Sequence, residues 1–465
     1  MNFPDDTIAA ISTPAGEGGI GIVRLSGKDA VSIVSMIFIP SQDRPLLNLR
    51  SHSIIHGFIC DPITAEKLDE VLVTVMRAPK TYTREDIVEI NCHGGMLPLG
   101  RVLRLAISRG ARLAGPGEFT MRAFLNGRID LSQAEAVIDV IKARTDKAER
   151  MALQQLEGRL SAEITDLRDE LTEACALVEA YLDFPEEDIN VLDRAGLISA
   201  ILTLSDRLNK LSLSFNEGRL LRDGAAMAIV GKPNVGKSSL LNTLLKKDRA
   251  IVTELPGTTR DIIEESLNIG GIPIRIMDTA GLRESSDLAE AEGVKRSLAA
   301  IQGADIVLAV FDSSMALDES DRRVIERMSG KKSIVVVNKC DIRSRDFEFD
   351  DSELQDFPSV GISALRGDGM DNLKGIIIAS LVSNKAVFGQ DGAVDLIVTN
   401  IRHKQLLDSA LAALAKARET FEHEEPLEVT ALFLREALDS LGEIIGVVTT
   451  EDILNKIFAE FCIGK

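Results

Sequence analysis

The segment that most constrains this chain is Gly231-Lys232-Pro233-Asn234-Val235-Gly236-Lys237-Ser238, which fits the pattern G-x-x-x-x-G-K-[ST]. It follows an apolar run, Ala228–Gly231, and opens a helical pattern near Lys237. Strand, glycine-rich loop and helix therefore occur in the order a phosphate-binding loop requires. Glycine lets successive backbone N–H groups face phosphate oxygens, and the helix N-terminus adds partial positive charge. On this reading Lys237 reaches the β- and γ-phosphates of a nucleotide, and the Ser238 hydroxyl binds Mg²⁺. The surrounding domain must then be α/β. From Ala225 to about Leu381, apolar strands (Ile274–Met277, Ile306–Val310, Ile334–Val337) alternate with helical patterns, which implies βαβ units and a mostly parallel sheet.

Four further pieces follow in order. Gly257-Thr258-Thr259-Arg260-Asp261 is a loop from which a threonine can close on Mg²⁺ and the γ-phosphate. Asp278-Thr279-Ala280-Gly281 ends an apolar strand, with Asp278 near the metal and the Gly281 N–H near the γ-phosphate. Asn338-Lys339-Cys340-Asp341 ends another strand, and the Asp341 carboxylate can accept from both the N1–H and the exocyclic amine of guanine. Adenine offers no such pair of donors. Ser363-Ala364-Leu365, after a fifth strand, can support the guanine carbonyl through backbone N–H. The ordered set resembles the translation-factor-related GTPases, and GTP is the expected ligand.

Ras-like enzymes orient the attacking water with a glutamine after this third motif, but Leu282 stands there and cannot do so. Glu284, Asp287, Glu290 and Glu292 are the residue-level candidates for that role. Arg260 and Arg283 lie near in sequence, but arginines in such loops are usually solvated, so no charge-stabilising arginine is obvious. The amide oxygen of Asn234 could hold a monovalent cation against the phosphates, supplying the charge that an arginine supplies in other enzymes.

The α/β segment interrupts a different pattern. Residues 1–120 hold short β-branched runs (Ile20–Leu25, Val71–Val75, Ile87–Ile90) punctuated by Gly and Pro. From about Leu131 to Glu217 the period is helical, and in Ala148–Leu182 residues Leu153, Leu156, Leu160, Ile164, Leu167, Leu171 and Leu177 form one stripe. Phe184-Pro185-Glu186 breaks it, and the helical pattern returns after Val394. Helices on either side of the α/β segment are expected to pack into one discontinuous domain, since a lone amphipathic stripe is marginal in water.

The chain carries 53 basic and 72 acidic residues, a net of -19. The net charge is -1 over residues 1–120, -7 over 121–223, -4 over 224–385 and -7 over 386–465. Nucleic-acid binding rests on cations replacing phosphate counterions, so the helical blocks are the least suited to it. No stretch reaches the ~20 apolar residues of a membrane span, and Asp5 and Asp6 stand where a signal peptide would carry cations. Cys60, Cys92, Cys175, Cys340 and Cys462 form no CxxC pair. A disulfide scaffold and a zinc ribbon are therefore not expected, and a reducing cytoplasm is.

Outside the nucleotide motifs the chain contains Asp6-Thr7-Ile8-Ala9-Ala10, Gly16-Glu17-Gly18-Gly19-Ile20-Gly21-Ile22-Val23-Arg24-Leu25-Ser26-Gly27, and Glu89-Ile90-Asn91-Cys92-His93-Gly94-Gly95. It also contains Gly115-Pro116-Gly117-Glu118-Phe119-Thr120-Met121-Arg122-Ala123-Phe124-Leu125-Asn126-Gly127-Arg128 and ends Phe461-Cys462-Ile463-Gly464-Lys465. Over essentially its full length it resembles the MnmE (TrmE) family of tRNA modification GTPases.

The resemblance implies a multidomain α/β plus α architecture. A folate-binding, dimerising α+β domain spans 1–120, a discontinuous all-α helical domain spans 121–223 and 386–465, and a Ras-like P-loop GTPase domain is inserted at 224–385. It implies a homodimer and a flavoprotein partner, MnmG (GidA). It also implies tRNA whose wobble uridine receives a carboxymethylaminomethyl-type group at C5, and a reduced folate such as 5-formyltetrahydrofolate as one-carbon donor. By position, Arg24, Glu89, Arg128 and Lys465 would contact the folate, the carboxylate suiting pterin donors and the cations the glutamate tail. Nucleotide contacts are implied at Asn234, Val235, Gly236, Lys237, Ser238 and Ser239, then at Thr253, Glu254, Leu255, Pro256, Gly257, Thr258 and Thr259. They continue at Asp278, Thr279, Ala280 and Gly281, and end at Asn338, Lys339, Asp341, Ser363 and Ala364. Ser238 and Thr259 match the family's Mg²⁺ ligands, and Asn234, Thr253, Leu255 and Thr258 its K⁺ ligands. Glu290 aligns with the water-orienting glutamate, which with Lys237 and Asp278 makes the catalytic set, although Glu292 stands where relatives carry an aliphatic residue.

Three patterns are rejected or discounted. Gly16-x-Gly18-x-x-Gly21 fits a dinucleotide fingerprint, yet Ile22-Val23-Arg24-Leu25 reads as a strand and not the required helix. His93 has no second ligand at metal spacing and reads as part of a turn. Cys462 is a candidate nucleophile toward uridine C6 or a folate adduct, which would need a depressed pKa, while a small residue packing the tail into the folate site is the favoured reading. A regulatory RNA- or ribosome-associated GTPase without modification chemistry is the competing reading, and the lack of a basic appended block counts against it.

Overall fold

The computed structural model describes residues 6–183, 194–248, 266–277, 299–328, 330–344, 347, 357–382 and 396–465. The N-terminal part builds a seven-stranded sheet from β1 (Ile8–Ile11), β2 (Gly18–Ser26), β3 (Phe38–Pro40), β4 (Ser53–Cys60), β5 (Lys67–Met76), β6 (Ile87–Gly94) and β7 (Arg112–Leu113). Three helices accompany it, α1 (Ala30–Ser35), α2 (Met96–Ser108) and α3 (Glu118–Leu125). Strand order is β3-β4-β5-β6-β2-β1-β7, antiparallel throughout except for β1 with β7. Side chains alternate across the sheet. Val23, Leu25, Val88 and Ile90 pack with Leu99 and Val102 of α2, which leaves Arg24 and Glu89 on the opposite face. The register pairs those two residues directly. The glycine-rich segment at 16–21 thus feeds a strand, as its sequence required.

A helical segment follows: α4 (Leu131–Lys142), α5 (Asp146–Leu156), α6 (Arg159–Asp183), α7 (Arg194–Leu213) and α8 (Phe215–Asp223). The stripe expected over Ala148–Leu182 is divided between α5 and α6. Gly158 sits at the break with φ +89, a left-handed conformation that ends one helix before the next begins. The break also rotates the stripe out of phase, so Leu153 is 39% exposed while Leu160, Ile164, Leu167 and Leu171 are buried; farther along α6 the expected Leu177 is 45% exposed, and Ala174 and Val178 face the core instead.

The inserted domain comprises β8 (Ala225–Val230), α9 (Lys237–Asp248), β9 (Ser266–Ile269), β10 (Ile272–Met277) and β11 (Ile306–Asp312). It continues with α10 (Glu319–Met328), β12 (Ser333–Asn338), β13 (Ser359–Gly361) and α11 (Met370–Leu381). The order is β13-β12-β11-β8-β10-β9, with only β9 and β10 antiparallel. Every residue of β8 is buried, because apolar cores lie on both faces of the sheet. Its neighbours β10 and β11 leave in opposite directions, so the crevice beyond its carboxyl end is where a ligand can enter.

The chain then returns to the helical domain as α12 (Ile401–Glu422), α13 (Leu427–Ile445) and α14 (Glu451–Ala459). The apolar face of α6 is matched across the insertion: Ile164 and Leu167 share one core with Leu204 and Leu208 of α7, Leu407 and Leu414 of α12, and Leu434 and Leu441 of α13. The two halves are therefore one domain. Beyond α14, Phe461 packs with Leu131, Leu454 and Phe458, and the last residues cross to the N-terminal sheet. Among the described residues no helix is long and apolar enough to cross a membrane.

Candidate active site

The loop between β8 and α9 takes the conformation its sequence implies. Gly231, Asn234 and Gly236 have φ of +146, +65 and +100, values open to glycine and tolerated by asparagine. A Cβ at Gly236 would lie 2.2 Å from Asn338 Nδ2, so the loop is also closely backed. Lys237 Nζ donates to the carbonyls of Gly231 (2.7 Å) and Lys232 (2.6 Å), arching over the loop. Burial pushes the ammonium pKa down, a cost that a phosphate counter-charge would reverse. Asn234, Ser238 and Ser239 are exposed at the rim. An exposed hydroxyl beside the arched lysine, at the start of α9, fits a Mg²⁺ ligand in donor type and position.

At the base end, Asn338 is 2% exposed. Its Nδ2 donates to Val235 O (2.8 Å), and its Oδ1 accepts from Ala364 N (3.0 Å). One side chain therefore ties the phosphate loop to the loop after β13. The Ala364 N–H, offered by the sequence reading to the guanine carbonyl, is engaged by Asn338, and Ser363 N donates to Asp368 O (3.1 Å). Lys339 has φ +63 and its Nζ pairs with Asp312 Oδ2 at 2.5 Å. Burial raises the Asp312 pKa, but Lys339 and Ser314 bring it below the ordinary value. A hydrogen bond from Ser363 holds the Asp341 carboxyl below its usual value, with Arg366 at 3.7 Å. At neutral pH Asp341 is thus an anionic acceptor, the state that two guanine donors require.

Thr253, Glu254, Leu255, Pro256, Gly257, Thr258, Thr259 and Arg260 lie outside the described residues, as do Asp278, Thr279, Ala280, Gly281, Leu282, Arg283, Glu284, Asp287, Glu290 and Glu292. β10 ends at Met277, immediately before Asp278.

The second cluster lies in the N-terminal domain. Arg24 Nε donates to Glu89 Oε1 at 2.8 Å, Arg24 Nη1 donates to Gly464 O at 3.4 Å, and the guanidinium stands 5.7 Å from the centre of the Phe119 ring. Phe119 N donates to Lys465 O (3.1 Å) and Gly117 N to Cys462 O (3.4 Å). Gly464 makes this docking possible. Its φ is +98, and a Cβ there would lie 2.4 Å from Ile11 O. Arg128 stacks 4.7 Å from the centre of the Tyr82 ring and donates to Tyr82 O (3.2 Å). Burial raises the Tyr82 phenol pKa, while a hydrogen bond with Thr120 and the charges of Arg128 and Arg24 oppose the rise.

The four residues assigned to folate, Arg24, Glu89, Arg128 and Lys465, are therefore gathered around Tyr82 and Phe119. A carboxylate, cations and aromatic faces form a donor set that fits a pterin with a carboxylate tail. Tyr82 went unnoticed in the sequence, although it is one of only two tyrosines. Glu118 and Arg122 work beneath the cluster. Both are buried, and Arg122 pairs with Asp6 (2.6 Å), Glu85 (3.1 Å) and Glu118 (3.1 Å), fixing the start of α3. Cys462 is exposed. His93 is exposed and bonded to Asp69 Oδ1 at 2.6 Å, which raises its pKa. Among the described residues no three His, Cys, Asp or Glu side chains group to hold a metal.

Fold and site together define a P-loop nucleotide-binding domain of the GTPase class, carried on a split helical domain with an N-terminal α+β domain. The MnmE helical domain family matches residues 131–462, and the family of the GTP-binding protein TrmE N-terminus matches residues 7–128. The tRNA modification GTPase MnmE of Geotalea uraniireducens is 48% identical over 464 residues, covering 100% of both chains. That of Geobacter sulfurreducens is 49% identical over 463 residues, again covering 100% of both. That of Moorella thermoacetica is 48% identical over 465 residues, covering 99% of this chain and 100% of its own. The chain belongs to the MnmE family of tRNA modification GTPases.

Proposed function

We propose that this GTPase works as a cytoplasmic homodimer with the flavoprotein MnmG. Its GTP hydrolysis drives addition of a carboxymethylaminomethyl-type group to C5 of the wobble uridine of certain tRNAs. A reduced folate, 5-formyltetrahydrofolate or a relative, supplies the one-carbon unit. The observation that carries this reading is the meeting of residues 462–465 with Arg24 and the backbone of Gly117 and Phe119, where Arg24 also holds Glu89 and faces the Phe119 ring.

In this reading residues 1–120 bind folate and dimerise, 121–223 and 386–465 form the helical domain, and 224–385 hydrolyse GTP. Lys237 binds the β- and γ-phosphates, and Asp341 selects guanine. Asp278 sits near the metal, and Glu290 orients the attacking water. Ser238 and Thr259 hold Mg²⁺, while the exposed amide of Asn234, with Thr253, Leu255 and Thr258, holds K⁺. When bound, the two cations supply positive charge to the transferring phosphoryl group. Glu89 pairs with pterin donors, and Arg24, Arg128 and Lys465 hold the folate's anionic tail. The acidic helical blocks direct tRNA toward the near-neutral N-terminal domain and the partner flavoprotein.

Nucleoside analysis of tRNA from cells lacking this protein tests the reading. Loss of the C5 wobble modification is expected, and an unchanged nucleoside profile would return the chain to the regulatory class.

A further inference from the structure

The cations of the N-terminal domain fall into two sets. Arg24, Arg77, Arg112 and Arg122 each meet a carboxylate at 2.6–3.0 Å. Arg50, Lys80, Arg84 and Arg128 are exposed, and among the described residues none of them pairs with a carboxylate. The acids closest to them in sequence are already engaged. Glu85 accepts from Ser26 Oγ (2.7 Å) and Arg122 Nη1 (3.1 Å), and Asp86 accepts from Arg77 Nη1 (3.0 Å) and Ala78 N (2.9 Å). Neither is left to neutralise the turn that precedes it.

That turn is held firmly in place. Thr81 Oγ1 donates to Glu85 O at 2.6 Å, closing residues 81–85, and the Thr83 hydroxyl, fully buried, lies 2.6 Å from Ser26 Oγ. Arg84 stands in the left-handed region with φ +59, a conformation unfavourable to a residue with a Cβ. Its Nη1 donates to Asn126 O (2.8 Å), and Asn126 Nδ2 donates back to Thr83 O (2.6 Å). Gly127, with φ +67, passes so close that a Cβ there would lie 3.4 Å from Arg84 Nη1. The next residue is Arg128, whose guanidinium returns to the Tyr82 ring and carbonyl. Arg84 and Arg128 thus hold one turn between them, and Lys80 stands at its start. Arg77 ties in the neighbouring loop, donating from N to Ser51 Oγ (2.9 Å) and from Nη2 to Leu47 O (3.0 Å), which brings Arg50 alongside. A row of cations therefore leads from the folate cluster at Arg128 through Arg84 and Lys80 to Arg50. Like charges gathered without a counter-charge favour the arrival of an anion.

The anion that fits is a chain of carboxylates already anchored at one end. Guanidinium forks match carboxylates in shape. A single exposed pair adds little, but a ligand tethered beside the row meets each further cation at high effective concentration. An RNA backbone draws its affinity from many phosphates at once, whereas this row is short and begins within the folate cluster. We infer that Arg84, Lys80 and Arg50 form a subsite for the γ-linked glutamate chain of a polyglutamylated reduced folate, continuing from Arg128. The inference rests on the folate reading given above and deepens it: the preferred one-carbon donor carries several glutamates, not one.

The test measures binding of 5-formyltetrahydrofolate bearing one or five glutamates to the full chain by calorimetry. The pentaglutamate is expected to bind about tenfold tighter at low salt, the scale of a few exposed pairs, and the advantage should shrink as salt rises. The double variant Arg84→Gln with Lys80→Gln should keep monoglutamate affinity and GDP affinity within about twofold and lose most of the pentaglutamate advantage. The charge-preserving pair Arg84→Lys with Lys80→Arg should retain it. Monoglutamate binding with no pentaglutamate advantage would overturn the inference and leave the folate reading standing. An advantage that survives the double variant would also overturn it, and a simultaneous fall in tRNA affinity would assign the row to RNA phosphates. If neither folate binds, the folate reading falls and the inference falls with it.

Discussion

Glu135 offers a sharp quantitative test of how the two halves of the helical domain are joined. It lies on α4, 4% exposed, and accepts from Arg402 Nε and Nη2 at 2.9 Å each and bonds His403 Nε2 at 2.6 Å. Arg402 also donates to the carbonyls of Glu443 (2.9 Å) and Ile444 (3.0 Å), and His403 is fully buried. Burial alone would raise the Glu135 pKa, but His403 and Arg402 bring it from 4.5 down to about 2. At 1.36 kcal/mol per unit this is worth about 3 kcal/mol. Because the folded pKa is depressed, that stability is present above pH 4.5 and is lost as pH falls through the folded value. Glu135→Gln keeps the shape and removes the charge, so it is expected to cost about 3 kcal/mol at pH 7. The gap to wild type should narrow by about 1 kcal/mol at pH 4 and about 2 kcal/mol at pH 3. Asp139, whose pKa burial raises despite Arg222 and the Glu135 charge raises further, loses that last contribution in the variant, which offsets part of the cost. A multidomain chain does not unfold in one step, so the assay is a urea titration read by pulsed amide exchange in α12 and α13. Equal midpoints at pH 7, or a gap that stays constant down to pH 4, would refute the reasoning.

Asn338→Ala removes two hydrogen bonds between nucleotide loops, each worth about 1 kcal/mol; a fluorescent-GDP titration should show affinity lower by about 30-fold. Gly464→Ala forces a Cβ to 2.4 Å from Ile11 O and should weaken reduced-folate binding in calorimetry by about tenfold or more at constant GDP affinity; unchanged folate affinity would separate the tail from the site. Glu290→Ala should retain GTP binding and lose turnover in a phosphate-release assay, and an active variant would return the role to another nearby carboxylate. Replacing K⁺ by Na⁺ should strongly slow hydrolysis, and equal rates would remove the cation role given to Asn234.

The nucleotide site was legible because its chemistry is local. Gly231 to Ser238 and Asn338 to Asp341 are each contiguous segments whose motif is fixed by residue type and spacing, so spacing alone carries the signal. Periodicity placed β2, β5 and β6, and it also showed that the flanking helices belong together. It failed at Gly158, where a single glycine inside an otherwise helical pattern does not announce whether it will be tolerated or will end the helix. The N-terminal cluster was legible only by resemblance. Arg24 and Glu89 meet through strand register, Arg128 through an aromatic ring, and Lys465 through a tail reaching back across the fold; no short-range pattern encodes such meetings. The double engagement of Asn338 was equally hidden, since a residue counted among the nucleotide contacts also holds two loops together.

The split of the helical domain also sets an order of assembly. β8 to α11 form a contiguous unit and can fold as they leave the ribosome. The apolar faces of α6 and α7 cannot be buried until α12 and α13 have followed, with α13 ending about 230 residues after Leu213. At ordinary rates of synthesis that delay is about 10–50 s. For that time an unburied helical pair sits between two finished neighbours, which makes it the stretch of the nascent chain most in need of a chaperone. Arg24 waits longer still: the carbonyl of Gly464 reaches it only after 440 more residues have been added.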